Sequence, residues 1–243
     1  MSRPVNLVIR CLVDSAARLE ALLLPSRCLV CEGDGLPGID LCDACRFALP
    51  WLADACPGCG EPLDRQAAPP GCARCRRDPL PLDGVCAVFR YAPPVDQLLL
   101  RFKFHQDLAA GRLLATLMAE HLSSLPAPPV LVPLALHPQR LRARGYDQGA
   151  QLARALSRRL AVPCQGLLRR RHATAAQSGL DAASRQHNLR DAFVCPRRAP
   201  PQVVLFDDVM TTGASLRAAA TAMRLAGATH VAAWVCARAV KGG

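Results

Sequence analysis

The chain has 243 residues, of which 51% are hydrophobic and only 4% aromatic, so it can bury a substantial core and wholesale disorder is excluded. The formal net charge of +11 favours anionic partners such as nucleic acid, nucleotides or polyphosphates. Arg10 and Asp14 interrupt the apolar run at the N-terminus, so we expect no signal peptide or transmembrane segment and a reduced, cytoplasmic protein despite its 13 cysteines.

The first 25 residues show apolar side chains at helical spacing. The pattern runs through residues 5–24 and stops before Pro25, which predicts an N-terminal amphipathic helix within residues 1–25. Such a helix either docks on its own domain or contacts a membrane or a partner. We expect docking on the domain, because a membrane anchor would carry more lysine and aromatic side chains.

Residues 26–80 are rich in cysteine, glycine and proline and show neither helical nor strand periodicity. Such a stretch cannot build a core from its side chains alone, so it needs a cross-link. It contains four CxxC pairs, formed by Cys28, Cys31, Cys42, Cys45, Cys56, Cys59, Cys72 and Cys75. We therefore predict a double zinc ribbon over residues 26–80.

Two CxxC pairs can surround one ion with a tetrahedral shell of four sulfurs. Soft thiolates suit zinc or iron–sulfur clusters, and repeated CxxC pairs favour about two structural zinc ions. We expect consecutive pairing, which joins the first pair to the second and the third to the fourth, and interleaved pairing is the alternative. Because eight thiolates carry −8 and two Zn²⁺ carry +4, bound zinc would lower the net charge from +11 to about +7.

Strands and helices alternate from residue 84 to the end of the chain. Strands are predicted at 84–91, 130–136, 166–170, 203–208 and 230–239. One or two helices are predicted at 95–122, and single helices at 146–160 and 215–227, with loops at 123–129 and 172–192. Repeated strand–helix order implies a parallel sheet with crossover helices, so we predict an α/β domain over residues 84–240.

The segment VVLFDDVMTTGASLRAA (203–219) combines an acidic pair with a turn that opens a helix. Gly213 permits a tight turn, and amides and hydroxyls of residues 211–215 can surround a phosphate at the helix N-terminus. The carboxylates of Asp207 and Asp208 would repel that phosphate, so their ligands would be hydroxyls about one sugar away, or a Mg²⁺ ion. This order of groups matches a ribose 5-phosphate.

This segment resembles the phosphoribosyl pyrophosphate motif of type I phosphoribosyltransferases. From about Cys28 to its end, the chain resembles the competence protein F (ComF) branch of that family, in which a zinc ribbon precedes such a domain. Residues 131–153 are similar to the branch's segment on the pyrophosphate side, and residues 177–193 to its mobile-loop segment. The resemblance implies a type I phosphoribosyltransferase-like parallel sheet flanked by helices, preceded by a small cysteine-rich module.

The resemblance also implies roles for individual residues. Asp207 and Asp208 would be the catalytic pair that binds the ribose 2′- and 3′-hydroxyls, with Mg²⁺ accompanying phosphoribosyl pyrophosphate. The 5′-phosphate would be held by Thr211, Thr212, Gly213, Ala214 and Ser215. The loop at 134–137 would approach the pyrophosphate, and the basic residues expected on that side are Lys103, Arg140, Arg144 and Arg185.

Three functions are compatible with these features. The chain either transfers a phosphoribosyl group to an unknown nitrogen acceptor, or binds single-stranded DNA as a non-enzymatic competence factor, or is a zinc-ribbon scaffold with a vestigial ligand site. The DNA hypothesis is suggested by the family resemblance, which implies a role in DNA uptake and natural transformation beside other uptake proteins. RRRH (169–172) either contacts DNA or only aids solubility. Phe102, Phe104 and Tyr146 could stack on bases, but we expect the phenylalanines to pack in the core.

Overall fold

The computed structural model describes residues 26–63, 71–136, 142, 145–170 and 192–240. The helix predicted within residues 1–25 lies outside these ranges, as do Arg140, Arg144, Arg185 and nearly all of the predicted loop at 172–192. The chain divides into two compact units, of which the first ends at Leu49 and the second begins at Pro50. The first two CxxC pairs therefore belong to one unit, and the last two belong to the other.

The described part of the first unit consists of tight turns and one short helix. It contains two isolated antiparallel bridges and helix α1, Asp43–Phe47. Cys42 precedes this helix, and its sulfur accepts a hydrogen bond from the Cys45 amide at 3.4 Å. Local turns of this kind bury little apolar surface, so cysteine ligation is the natural source of stability for this unit.

The second unit is organised around a parallel sheet. Its described strands are β1 (Gly84–Arg90), β2 (Leu131–Pro133), β3 (Arg169–Arg170), β4 (Phe193–Val194), β5 (Gln202–Met210) and β6 (His230–Arg238). Four of them form one sheet in the order β1-β6-β5-β2, and every neighbouring pair in it is parallel. The parallel sheet predicted from the repeated strand–helix order is thus confirmed.

Three of the predicted strands differ from the observed ones. The strand at 166–170 shrinks to β3, which pairs antiparallel with β4 outside the main sheet. The strand at 130–136 shrinks to the three residues of β2. Strand β5 instead extends past its predicted end, because it pairs with β6 as far as Met210 opposite Arg238. The two aspartates lie within the strand, as predicted, and the sheet continues two residues beyond them.

The described helices of the second unit are α2 (Ala73–Arg77), α3 (Val95–Phe104), α4 (Leu108–Leu122), α5 (Gln148–Leu160) and α6 (Ala214–Leu225). The predicted stretch at 95–122 is two helices, because Asp107 starts a new one: its carboxylate accepts a hydrogen bond from the Ala110 amide at 3.0 Å. The same carboxylate lies 2.7 Å from the Arg101 guanidinium. Within the described residues, no helix combines the length and the apolar character needed to cross a bilayer.

Helices cover the sheet. Helix α5 packs against β2 and β5, and α6 packs against β4, β5 and β6. All four residues from Val203 to Phe206 are buried, as expected of a parallel strand covered on both faces. This packing holds the end of β5, where the aspartates lie, in a rigid frame.

The segment that follows Pro50 covers the free edge of β1. Trp51 forms an antiparallel bridge with Phe89, and the Leu52 amide donates to the Val88 carbonyl at 3.0 Å. Farther along, the Val85 amide donates to the Pro57 carbonyl at 2.7 Å. These bonds satisfy an otherwise unpaired strand edge and make the third CxxC pair part of the larger unit.

Two helical glycines provide a paired test of this packing. A Cβ added at Gly111 would lie 2.5 Å from Cε2 of the buried Phe102 ring, whereas one at Gly149 would lie 3.5 Å from Asp147 Oδ1, an ordinary contact. We expect Gly111→Ala to lower the free energy of unfolding by about 1–3 kcal/mol through overpacking. Gly149→Ala should instead raise it by up to about 1 kcal/mol. Urea unfolding of both variants measures this, and equal effects would contradict the close packing of α3 on α4.

Candidate functional site

The eight CxxC cysteines gather into two tetrads. Cys28, Cys31, Cys42 and Cys45 form the first, and Cys56, Cys59, Cys72 and Cys75 form the second; within each, the sulfur atoms lie within 4.8 Å of one another. Consecutive pairing is therefore confirmed, and interleaved pairing is excluded. The sequence left this choice open because spacing alone does not say which turns face each other.

Sulfur geometry in both tetrads fits a tetrahedral zinc ion. A Zn–S bond of about 2.3 Å places sulfurs about 3.8 Å apart along each tetrahedral edge. The Cys31 and Cys42 sulfurs are 3.7 Å apart, and those of Cys59 and Cys72 are 3.5 Å apart. The Cys72 amide also donates to the Cys56 sulfur at 3.3 Å, as expected for a thiolate acceptor. Four sulfurs close each shell, so both tetrads fit structural zinc ions.

The predicted phosphate turn lies at the carboxyl end of β5, directly before α6. Thr211 and Thr212 are exposed, and Ser215 is half-buried. The Thr212 hydroxyl accepts a hydrogen bond from the Ala214 amide at 3.4 Å. The amides in the first turn of α6 have no intrahelical acceptors, and the helix dipole favours an anion there.

Gly213 is required by both conformation and space. Its φ of 79° lies in the left-handed region, which side chains disfavour. A Cβ at this position would lie 2.7 Å from the Met210 methyl and 3.3 Å from Leu80. The turn can therefore enter α6 only with glycine at position 213.

Asp207 and Asp208 lie near the carboxyl end of β5, just before the turn, and their side chains are only partly exposed. The Asp208 carboxylate is 3.0 Å from Nζ of Lys103, which lies in the last turn of α3, and both side chains are less than one-fifth exposed. Burial, followed by the negative charge of Asp208, raises the pKa of Asp207 to about 8. Positive charges on Lys103 and Arg170 oppose this rise but do not cancel it. The site therefore favours a proton, a hydroxyl donor or a cation at the acidic pair.

Residues of the GYDQ segment (145–148) form hydrogen bonds with the elements around this site. Tyr146 donates a hydrogen bond from its hydroxyl to the Phe102 carbonyl, and the buried Gln148 donates to the Lys103 carbonyl at 3.1 Å. Asp147 accepts from the Leu136 amide at 3.2 Å and from the Ala150 amide at 2.9 Å. The segment thus positions both the end of α3, which carries Lys103, and the loop that follows β2.

The structure brings together part of the predicted site. Lys103 joins Asp207 and Asp208, beside the turn from Thr211 to Ser215. The described residues do not include the other three basic candidates, so those assignments stay predictions. Arg170 belongs to the RRRH segment, whose role as a DNA contact stays a prediction; in the structure it acts electrostatically on Asp207 and lies 5.2 Å from the centroid of the Phe193 ring.

Sequence reasoning missed two arginines that contact the phosphate turn. Arg238 ends β6 and donates to the Thr211 carbonyl at 2.6 Å, and Arg74 of α2 donates to the Thr212 carbonyl. The sequence pattern could have indicated Arg238, because it stands at the end of an apolar strand, where a charged side chain needs buried partners. Arg74 sits among other arginines and had no such signal.

Comparison with known proteins agrees with this architecture. A family model described as the double zinc ribbon domain matches residues 19–76. Competence protein F of Haemophilus influenzae is 31% identical over 225 residues, which cover 88% of this chain and 97% of that protein. DNA utilization protein YhgH of Escherichia coli K12 is 32% identical over 230 residues, covering 89% of this chain and 99% of that protein.

Solved structures with a similar fold are more distant. Adenine phosphoribosyltransferase from Leishmania tarentolae matches with a TM-score of 0.38 and 12% identity, over 64% of this chain and 91% of that one. Glutamine phosphoribosylpyrophosphate amidotransferase from B. subtilis matches with a TM-score of 0.36 and 20% identity, over 51% of this chain. The matched region is only 25% of the amidotransferase chain. These likenesses concern the fold alone.

The parallel sheet with its covering helices, together with the cysteine tetrads that precede it, makes this chain an α/β protein with a double zinc ribbon. Similarity over nearly the whole length of its relatives narrows the class further. The chain belongs to the competence protein F family.

The raised pKa of Asp207 predicts how stability depends on pH. Between about pH 4 and pH 8 the unfolded state ionises this carboxyl, with a pKa near 3.8, while the folded state keeps its proton. The folded state therefore binds more protons, and the free energy of unfolding falls as pH rises through this window. Asp207→Asn should raise the melting temperature of the ligand-free protein by several degrees at pH 8 and by less at pH 5.

The exposed Glu120 provides a control for this pH effect, because Glu120→Gln removes the same charge outside the site. Melting curves of wild type and both variants at the two pH values give the result. A gain from Asp207→Asn that is the same at pH 5 and pH 8 would mean that Asp207 ionises normally in the folded protein.

Proposed function

We propose that this chain binds phosphoribosyl pyrophosphate, or a related sugar phosphate, with Mg²⁺ at the carboxyl end of β5. One observation carries the proposal: the acidic pair at the carboxyl end of β5 is followed directly by a turn with two exposed threonines, Thr211 and Thr212, which leads into the N-terminus of α6. An anion and a polyol within one ligand can then reach both groups at once.

Each part of such a ligand has a complementary group in the site. The 5′-phosphate accepts hydrogen bonds from amides of the turn and the first turn of α6, where the helix dipole favours negative charge. The ribose hydroxyls donate to the carboxylates of Asp207 and Asp208, whose charges need donors or cations. Lys103, which is 3.0 Å from Asp208, is placed to move from that carboxylate to a ligand anion.

Magnesium fits the same acidic pair. Mg²⁺ prefers oxygen ligands and is usually held by one or two carboxylates together with substrate oxygens and water. Asp207 and Asp208 supply adjacent carboxylates, and a cation would release the proton that the raised pKa of Asp207 retains. The ion would neutralise negative charge on the pyrophosphate, while the protein itself holds and orients the sugar.

The proposal concerns binding, and transfer is a separate step. In a transfer reaction a nitrogen nucleophile would form a bond to ribose C1 as the C1–O bond to pyrophosphate breaks, and pyrophosphate would leave with the bonding electron pair. The aspartates would orient the sugar for this displacement. An acceptor screen that measures released pyrophosphate separates an enzyme from a binding protein.

Thermal stabilisation tests the binding proposal. At a concentration a hundredfold above Kd, a ligand that binds only the folded state adds about 2.7 kcal/mol to the free energy of unfolding. Phosphoribosyl pyrophosphate with Mg²⁺ should therefore raise the melting temperature by about 5–10 °C in a chain of this size. The double variant Asp207→Asn/Asp208→Asn should lose this increase.

Asp96→Asn/Glu120→Gln controls for the loss of two carboxylates, since neither residue belongs to the site. This variant should keep the full ligand-induced increase. An equal increase in the Asp207→Asn/Asp208→Asn protein would refute the assignment of the acidic pair, and no increase in wild type would refute the proposed ligand.

A second function, binding of single-stranded DNA, is favoured by a basic groove. A cavity of about 380 Å³ between α4 and α5 is lined by Arg112, Arg154 and Arg158, all exposed, together with Leu108, which is 59% exposed. Burial lowers the pKa of the neighbouring Arg159, and the positive charges of Arg158 and Arg112 lower it further. Such a groove can follow a phosphate backbone while apolar groups contact bases.

Salt dependence tests the DNA function. Each phosphate neutralised on a single strand contributes about −0.7 to the slope of log K against log salt concentration. Arg154→Ala/Arg158→Ala should therefore weaken binding of a single-stranded oligonucleotide and make the slope less steep by about 1.4. Arg197→Ala/Arg198→Ala removes the same charge from an exposed loop and should change neither quantity as much. Equal effects of both pairs would exclude the groove as the DNA site.

A further inference from the structure

Arg238 connects the second cysteine tetrad to the phosphate turn. It is only 2% exposed and is the one charged side chain among the described residues that is buried. A buried guanidinium needs acceptors for its five N–H groups, so its neighbours are fixed by strong, directional bonds. Those neighbours come from two distant parts of the sequence.

One set of partners belongs to the third CxxC pair. Arg238 Nε donates to the carbonyl of Cys59, a member of the second tetrad, at 3.0 Å, and Nη2 pairs with the Glu61 carboxylate. Gly60, which lies between Cys59 and Glu61, packs closely on strand β1, because a Cβ at this position would lie 3.2 Å from the Cβ of Ala87. Its φ of 65° also favours glycine. A shift of the Cys59 backbone would therefore disturb its hydrogen bond from Arg238.

The other set of partners belongs to the phosphate turn. Arg238 Nη1 donates to the Thr211 carbonyl at 2.6 Å and lies 3.2 Å from the Met210 carbonyl. Arg74, which lies between Cys72 and Cys75 in the fourth CxxC pair, donates to the Thr212 carbonyl. Three successive carbonyls of the turn are thus held by arginines that are linked to, or part of, the segments carrying the second tetrad.

The orientation of these carbonyls determines where the amides of the turn point. In a trans peptide the N–H of one residue is directed opposite to the C=O of the residue before it. Holding the carbonyls of residues 210–212 on the side of the second tetrad therefore turns the amides of Thr211, Thr212 and Gly213 to the other side. Successive amides that point the same way form an anion-binding nest.

We infer that metal bound at the second tetrad sets the conformation of the phosphate turn, and that Arg238 is the positioning residue that transmits this constraint. Closed ligation fixes the backbone of Cys56–Gly60 and of Cys72–Cys75, and Arg238 and Arg74 carry that rigidity to residues 210–212. The link to phosphate binding rests on the proposed function, whereas the link between the tetrad and the order of the turn does not.

Backbone NMR of the zinc-loaded protein tests the inference without any ligand. The amides of Thr211, Thr212 and Gly213 should have order parameters close to the rigid value of about 0.85 in wild type. Arg238→Lys keeps the buried charge and its pairing with Glu61 but cannot bridge Cys59 and the turn at once, so these order parameters should fall below about 0.6. Zinc removal by a chelator should produce the same loss in wild type, and zinc analysis should return two ions per chain before removal.

Arg224→Lys is the matched control for Arg238→Lys. Arg224 also binds two carbonyls, of Pro81 and Thr229, and one carboxylate, of Asp83, but it does so at the far end of α6 from the turn. Its replacement should leave the order parameters of residues 211–213 unchanged. Arg74→Ala, with the exposed Arg77→Ala as its control, repeats the test at the surface in case Arg238→Lys does not fold.

Calorimetry with phosphoribosyl pyrophosphate and Mg²⁺ separates this inference from the proposed function. Affinity should fall about tenfold in Arg238→Lys, since a charge-assisted bond to the turn is lost, and should persist in Arg224→Lys. If the wild-type protein does not bind phosphoribosyl pyrophosphate but Arg238→Lys still disorders the turn, the proposed ligand is refuted. The coupling between the second tetrad and the turn then stands. Unchanged order of residues 211–213 in Arg238→Lys, Arg74→Ala and zinc-depleted protein would overturn the coupling.

Discussion

The parallel pairing of β5 with β6 is the constraint on which the site depends. Because the pairing continues to Met210 opposite Arg238, Asp207 and Asp208 are held by the sheet and not by a flexible loop. The same pairing brings Arg238 beside the first residues of the turn. The sheet therefore positions both the carboxylates and the arginine whose side chain contacts the turn.

Two adjacent carboxylates in a partly buried place make the ligand-free site electrostatically unfavourable. Lys103 offsets part of the charge by its contact with Asp208, and Arg170 adds a weaker field, yet the pKa of Asp207 still rises to about 8. Folding therefore retains a proton that the unfolded chain would release. Such unfavourable electrostatics are common at sites that bind a cation or hydroxyl donors. The proposed sugar phosphate with Mg²⁺ supplies both.

The double zinc ribbon spans two compact units. Its first tetrad lies in the unit that ends at Leu49, whereas its second lies in the unit that carries the sheet, where residues 50–57 cover the edge of β1. Composition changes after residue 80, but the division between compact units comes about thirty residues earlier. The physical reason is that hydrogen bonding to a strand edge, and not cysteine content, decides which segment belongs to the larger unit.

The sequence by itself determined the features that depend on short-range patterns. CxxC spacing predicted two closed zinc shells, apolar periodicity predicted the parallel α/β order, and the DDVMTTGAS segment predicted a tight turn that Gly213 permits. Only the tertiary structure decided the features that join distant segments: the consecutive pairing of the CxxC turns, the contact of Lys103 with Asp208, and the bridge from Cys59 through Arg238 to Thr211. Each of these contacts depends on which strand edge or helix end lies next to a segment after folding. The secondary-structure propensity of a segment carries no information about its neighbours in the folded protein.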